Sequence, residues 1–188
     1  MAFKCLLHLA EILKTSGWAM WANKGTQRPP FAEEPAEGQE SVWDYPRPPR
    51  LMADARLIEI HSGDLLIARS DNHYRICETA SPPSFYIPPG KIDWSLLETI
   101  EGGSYCEWKG LASYWSLKSD PSLPVAWCYP KPRALFMQIA NFVSFYPGRV
   151  SCTVDGQRVR AQPGGFYGGW ITDEIVGPFK GEPGTGHW

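Results

Sequence analysis

Cys106 and Lys109 stand three residues apart in the segment Tyr105-Cys-Glu-Trp-Lys-Gly110. A thiol that meets an ammonium group becomes a nucleophile, because the positive charge favours the thiolate. The two meet only where the chain turns at Lys109-Gly110; along a straight strand, positions 106 and 109 face opposite sides. The plain alternative is an inert packed thiol, since a free cysteine is among the residues most often buried. Glu78, ahead of Thr79 and the Pro82-Pro83 pair, is a third candidate. As a general acid or base it would need a raised pKa. Cys106, Lys109 and Glu78 are thus the candidate catalytic groups for an enzyme of unassigned reaction. No histidine stands in an obvious partner relation to Cys106.

A second kind of chemistry comes from rings. The chain has 9 Trp, 8 Tyr and 8 Phe beside 18 Gly and 18 Pro. Trp108, Tyr114, Trp115, Trp127, Tyr129, Tyr167 and Trp170 recur close to Gly or Pro, which let backbone approach closely. Several such faces around a groove suit a planar or cationic ligand, at about 0.5–2 kcal/mol per contact. The alternative is a small β domain packed with large rings whose polar ends find partners at the rim. In Trp43-Asp-Tyr-Pro-Arg-Pro-Pro-Arg50, stiff prolines aim Arg47 and Arg50, a geometry suited to a carboxylate or phosphate. A salt bridge from Arg47 to Asp44 or Glu78 is the competing use. The expected ligand contacts are Arg47, Glu78, Tyr105, Lys109, Tyr114, Trp115, Trp127, Tyr167 and Trp170. His73, beside Tyr74-Arg75 after a polar turn, reads as a surface histidine.

Composition narrows the classes. Eighteen Lys+Arg against 20 Asp+Glu give a net charge of −2, with no basic stripe, so nucleic-acid binding by phosphate neutralisation is not expected. Five scattered cysteines without a Cys-x-x-Cys pair match neither a zinc site nor a secreted disulfide framework. The expected location is cytoplasmic, with no metal and no cofactor. Gly164, Gly165, Gly168 and Gly169 lack the spacing of a dinucleotide loop and suit tight turns or bulges instead.

The elements that must carry these groups are short. Residues 1–19 show helical spacing at Phe3, Leu6, Leu7, Ala10 and Leu13; His8 and Glu11 interrupt any signal-peptide or membrane-spanning run. This stretch is an amphipathic extension or precedes a true start at Met20. Residues 20–40 form a flexible Pro/Gly/Glu-rich lead-in, and 41–188 a single β-rich domain. Two apolar runs around Ser62-Gly63-Asp64 predict a hairpin, and Val150–Val159 predicts another around Asp155-Gly156. Arg75–Thr79, Tyr105–Trp108, Ala112–Leu117 and Val125–Tyr129 predict strands. Ser81–Gly90 predicts an extended loop, because its prolines leave few ladder donors. Asp93 predicts a capped helical turn through Leu97. A longer helix is predicted over Pro132–Phe145, with Phe136, Ile139, Ala140 and Val143 as its apolar stripe.

Six segments then follow one another in a recognisable order: Ser41–Arg50, Glu78-Thr-Ala-Ser-Pro-Pro83, Tyr105–Gly110 with Ala112-Ser-Tyr-Trp115, Ala126-Trp-Cys-Tyr-Pro130, Phe145-Tyr-Pro147 and Pro163–Trp170. Together they resemble the family known as domain of unknown function 427, over about residues 38–188. That resemblance implies a β-tent-like fold, small antiparallel sheets meeting at an angle, as in cereblon's ligand-binding domain and one class of methionine sulfoxide reductase. The family also carries a nucleotidyltransferase label. A polymerase-β-type transferase needs a Gly-Ser helix start and then an Asp-x-Asp pair for Mg²⁺. Here the next aspartate after Gly102-Gly103-Ser104 is Asp120, standing alone, and Asp-x-Asp occurs nowhere. The sequence does not support the label.

The expectation is a small organic ligand held in an aromatic-lined groove. An enzyme using Cys106, Lys109 or Glu78, or a module that reads a peptide through the same rings, are the alternatives.

Overall fold

The computed structural model describes Trp21 and residues 23–188. The amphipathic extension expected over residues 1–19 lies outside the described residues. After β1 (Glu40–Ser41) come β2 (Arg50–Asp54), β3 (Ile58–Ser62), β4 (Leu65–Ser70), β5 (His73–Glu78) and β6 (Ser81–Tyr86). The middle holds β7 (Leu97–Ile100), β8 (Tyr105–Cys106), β9 (Gly110–Leu111), β10 (Ser113–Leu117) and β11 (Ala126–Cys128). The order ends with β12 (Val143–Phe145), β13 (Ser151–Val154), β14 (Gln157–Arg158), β15 (Arg160–Ala161), β16 (Trp170–Ile171) and β17 (Ile175–Val176). The fold is mainly β, built of several small antiparallel sheets. Two have four strands, β12-β11-β10-β7 and β14-β13-β3-β4, and one has three, β2-β5-β6. Only β1 and β17 pair in parallel among the described strands.

Both predicted hairpins form. Asp155 and Gly156 hold φ of 48° and 79°, the backbone that a two-residue turn between right-twisted strands requires. In β3, Ile58 and Ile60 point inward while Glu59 does not, and each fully buried Ile contributes about 1.5–3 kcal/mol. They join Ile67, Phe85, Val143, Phe145 and Trp170 in the first core cluster. A second cluster gathers Ile76, Tyr86, Trp127, Tyr129, Phe136, Ile139 and Tyr146. β11 separates the two: Ala126 and Cys128 face the first and Trp127 the second, as the two-residue period of a strand dictates.

Three expectations fail, each for a local reason. Pro132–Phe145 is not a long helix. A short 3₁₀ turn, Ala134–Ile139, contains non-helical Phe136 (φ −120°, ψ 16°). Asn141 then adopts φ 63°, and β12 begins two residues later. Val143 pairs with Cys128 and Phe145 with Ala126, so an apolar run that satisfied helical spacing was half strand. Ser81–Gly90 is not wholly loop, since β6 pairs with β5 through Ser81, Ser84, Phe85 and Tyr86. β6 lies at the edge of its sheet, where the missing N–H of Pro82 and Pro83 breaks no ladder on the open side. Asp93 does cap its turn, accepting from the Ser95 N–H at 2.9 Å.

His73 is the third failure: it is 1% exposed. Its Nε2 lies 3.6 Å from Asp54 Oδ1, at the buried side of a half-buried ionic network around β2 and β5. Arg56 donates to Asp54 at 2.6 Å and also bonds Glu174. Arg75 grips both oxygens of Glu40 at 2.8 and 3.0 Å, and the Tyr45 hydroxyl donates to Glu40 at 2.7 Å. Burial raises the Asp54 pKa, but the nearby His73 and the hydrogen bonds from Arg56 outweigh it, leaving the carboxyl well below its ordinary 3.8. Glu40 and Glu174 are lowered too, burial again being outweighed by their hydrogen bonds and Arg neighbours.

A carboxylate whose pKa is depressed by folding stabilises the fold above its unfolded pKa and loses that contribution as pH falls through the folded value. Denaturant unfolding measured from pH 6 to pH 2 should therefore show stability falling below about pH 4. Asp54→Asn should be less stable at pH 6 by about 2 kcal/mol and should show a shallower acid loss.

Candidate functional site

Tyr114 on β10 faces Trp127 on β11 across the ladder, so both rings stand on the same side of the sheet, where they can line a wall together. Trp127 packs against Tyr146 with ring centroids 4.5 Å apart and donates from Nε1 to the Tyr86 hydroxyl at 3.2 Å. Tyr86 lies 6.4 Å from Tyr129. These five rings border a cavity of about 330 Å³. Gly168 crosses directly over Trp127: a Cβ there would lie 2.3 Å from the indole ring.

One end of the cavity is built by the β8–β9 hairpin. Cys106 pairs with Gly110, and Gly110 holds φ 103°, so residues 107–109 form the turn and both Cys106 and Lys109 line the cavity. The objection that a straight strand would separate them does not apply. Lys109 is 8% exposed, with its ammonium 5.8 Å from the Tyr129 ring centroid and 5.9 Å from that of Phe136. Burial works against its charge, yet Tyr86, Cys106 and Glu78 outweigh that penalty and raise its pKa above the ordinary lysine value. Burial pushes the Tyr86 hydroxyl up to about 12, with Lys109 and the Trp127 bond pulling the other way.

Glu78, Glu107, Lys180 and Trp21 also line the cavity. Lys180 Nζ sits 3.8 Å from the Trp21 ring centroid and donates to the Trp188 carbonyl at 3.1 Å. Burial first and neighbouring Arg47 second lower its pKa to about 8. The Trp21 Nε1 donates to Glu107 at 3.0 Å. The two lysines are therefore shifted in opposite directions, because only Lys180 has a second cation beside it.

Of the expected contacts, Glu78, Tyr105, Lys109, Tyr114, Trp127 and Tyr167 line the cavity. Arg47, Trp115 and Trp170 do not. Arg47 is inside the protein, donating to the carbonyls of Asn23 and Thr79 at 2.9 Å each with its Nε 3.5 Å from Glu78. The salt bridge, not ligand capture, is its visible use. Arg50 is exposed on β2. Trp115 neighbours Tyr114 on β10 and so faces the other side, tilted against Trp94 at 5.4 Å. Trp170 is fully buried; its Nε1 donates to the Phe145 carbonyl at 2.9 Å. Sequence reasoning passed over Tyr86, Tyr146, Gln162 and Lys180. Reading Ser81–Tyr86 as a strand would have placed Ser84 and Tyr86 on one face; Lys180 carries no local signal. Gly164 and Gly165 (φ 85° and 70°) make the expected turn, and Gly168 serves close approach.

The profile of the family described as Domain of unknown function (DUF427) matches residues 50–156, more than half of the chain. The chain belongs to the DUF427 family. Glu78, Cys106, Lys109, Tyr114, Trp127 and Tyr146 fall inside the matched DUF427 segment, whereas Tyr167 and Lys180 lie beyond it. No curated protein matches the chain. Among the described residues, no three His, Cys, Asp or Glu side chains cluster as metal ligands, and Cys77, Cys106, Cys128 and Cys152 are free thiols.

Two outcomes follow from this geometry. Gly168→Ala should displace the Trp127 ring, lowering stability by about 1–3 kcal/mol and shifting tryptophan fluorescence. Lys180, with its folded pKa lowered, releases its proton earlier in the folded than in the unfolded chain, so rising pH favours the fold relative to a variant lacking the amine. The stability of the protein minus that of Lys180→Met, by denaturant unfolding, should grow by about 1 kcal/mol from pH 7 to pH 9.

Proposed function

We propose that this chain binds a small planar organic ligand in the cavity bordered by Tyr86, Tyr114, Trp127, Tyr129 and Tyr146. The observation that carries the reading is the five-ring wall around about 330 Å³, a volume in the range of small-molecule pockets. Core filling alone accounts less well for it: Tyr114 on one wall and Glu78, Cys106 and Lys109 on others bring polar atoms to the same space. The several small antiparallel sheets support a β-tent-like reading of the fold, in which such a pocket lies between sheets.

Native mass spectrometry of the protein from its own host, against its denatured mass, tests the proposal. A reproducible extra mass lost on denaturation is the expected result. Ligand-observed NMR with a library of planar fragments gives the second readout. Trp127→Ala should weaken every hit by at least about tenfold, roughly 1.4 kcal/mol, while Trp115→Phe, on the other face of β10, should leave affinities unchanged. No adduct together with no fragment hit would overturn small-ligand binding. Capture of a peptide by the wild type but not by Trp127→Ala would replace it with peptide recognition.

A further inference from the structure

We infer that the ligand of this pocket is a monoanion, a planar ring carrying a carboxylate whose oxygens take the Lys109 ammonium and the Tyr86 hydroxyl. This rests on the pocket reading above and adds the chemical class. Its first support is Lys109 itself. The side chain is more than nine-tenths buried, lines the cavity, and makes no ion pair among the described residues. Its surroundings are the Tyr86 hydroxyl, the Cys106 thiol and the faces of Tyr129 and Phe136. Lysines are almost never so buried unless paired. The one carboxylate that acts on it, Glu78, is committed to Arg47 at 3.5 Å.

The second support is the count of donors against acceptors. Tyr86 Oη already accepts the indole N–H of Trp127, and its proton is free to be donated to a ligand. Trp108 lines the same cavity, and its indole N–H is buried without an acceptor. Lysine and indole can only donate. These three donors are completed by a group that only accepts, and a carboxylate does that with two oxygens. An amide brings donors of its own, and an ammonium brings nothing else.

Charge gives the third support. Lys109 and Lys180 line the cavity with Glu78 and Glu107, and the pairing of Glu78 with Arg47 at 3.5 Å leaves two lysines facing one carboxylate, a positive charge in excess. A single carboxylate balances it, whereas a phosphate monoester dianion overshoots. The ring walls then set the remainder of the molecule: a flat body beside Trp127 and Tyr146, with its acid at the hairpin end.

A set of probes with one ring system separates the possibilities: 2-naphthoate, 2-naphthamide and 2-naphthylmethylammonium, titrated at pH 7 by calorimetry. Naphthoate should bind at least tenfold more tightly than the amide, and the ammonium should not bind measurably. Lys109→Met should bring acid and amide within about threefold of each other. Tyr86→Phe, which removes only the hydroxyl, should weaken naphthoate several-fold, leave the amide unchanged, and decide the matter if Lys109→Met fails to fold. Trp115→Phe, on the other face of β10, should leave naphthoate affinity within threefold. Amide or ammonium binding at least as tightly as the acid, with affinity lost in Trp127→Ala, would overturn the anion while sparing the pocket. No binding by any probe would overturn the anion for this ring, and the native-mass and fragment experiments would then judge the pocket separately.

Discussion

The guanidinium of Arg47 holds the point where the pieces of this protein meet. It reaches the carbonyl of Thr79 and that of Asn23 and stands beside Glu78. The turn it braces, Thr79-Ala80, is strained: Ala80 has φ 69°, a conformation an L-residue adopts at a penalty of about 1–2 kcal/mol. Hydrogen bonds offset that penalty. Ala80 donates to Val42 and accepts from Lys180, while the Thr79 hydroxyl donates to the Tyr45 carbonyl at 2.6 Å. One tight reversal thus joins the Val42–Arg47 segment, the β5–β6 hairpin and the segment at Lys180. Glu78 and Lys180 enter the cavity from the two sides of this junction, so their placement is inherited from it.

The second organising constraint is the alternation of β10 and β11. Each strand serves two interiors at once. Tyr114 and Trp127 belong to the pocket, while Trp115, Ala126 and Cys128 belong to the packed core. A ring cannot be moved from one to the other without shifting the register of the whole sheet. That is why two neighbouring tryptophan and tyrosine residues in a single recognisable segment have unrelated surroundings.

Much of the β framework was legible in the residues themselves. The Asp155-Gly156 turn, the β3–β4 hairpin and the strands at 105, 113 and 126 follow from turn chemistry and β-branched or aromatic runs, which are local properties. Phe136, Ile139 and Val143 misled because a helical stripe and a turn followed by a strand share the same spacing over seven residues. Pro82 and Pro83 hid β6 because an edge strand tolerates what an inner strand does not. In the site, residue types were readable but facing was not. Trp115 and Tyr114 look alike in sequence, and only pairing with β11 distinguishes them. His73 read as a surface residue because its partner, Asp54, is 19 positions away along the chain, whereas the Arg47–Glu78 salt bridge was among the uses the residues suggested and the Thr79 carbonyl, 32 positions from Arg47, was not.

The β8–β9 hairpin, the β5–β6 turn and the segment around Lys180 lie far apart in order of synthesis. A ribosome delivers Glu78 and Tyr86 long before Gly168 and Lys180, so the emerging chain displays the aromatic face of the second cluster well before anything covers it. For that interval the rings are an adhesive surface of the kind that chaperones shield and that drives misassembly. The cavity is closed only when Gly168 and Lys180 have joined its lining.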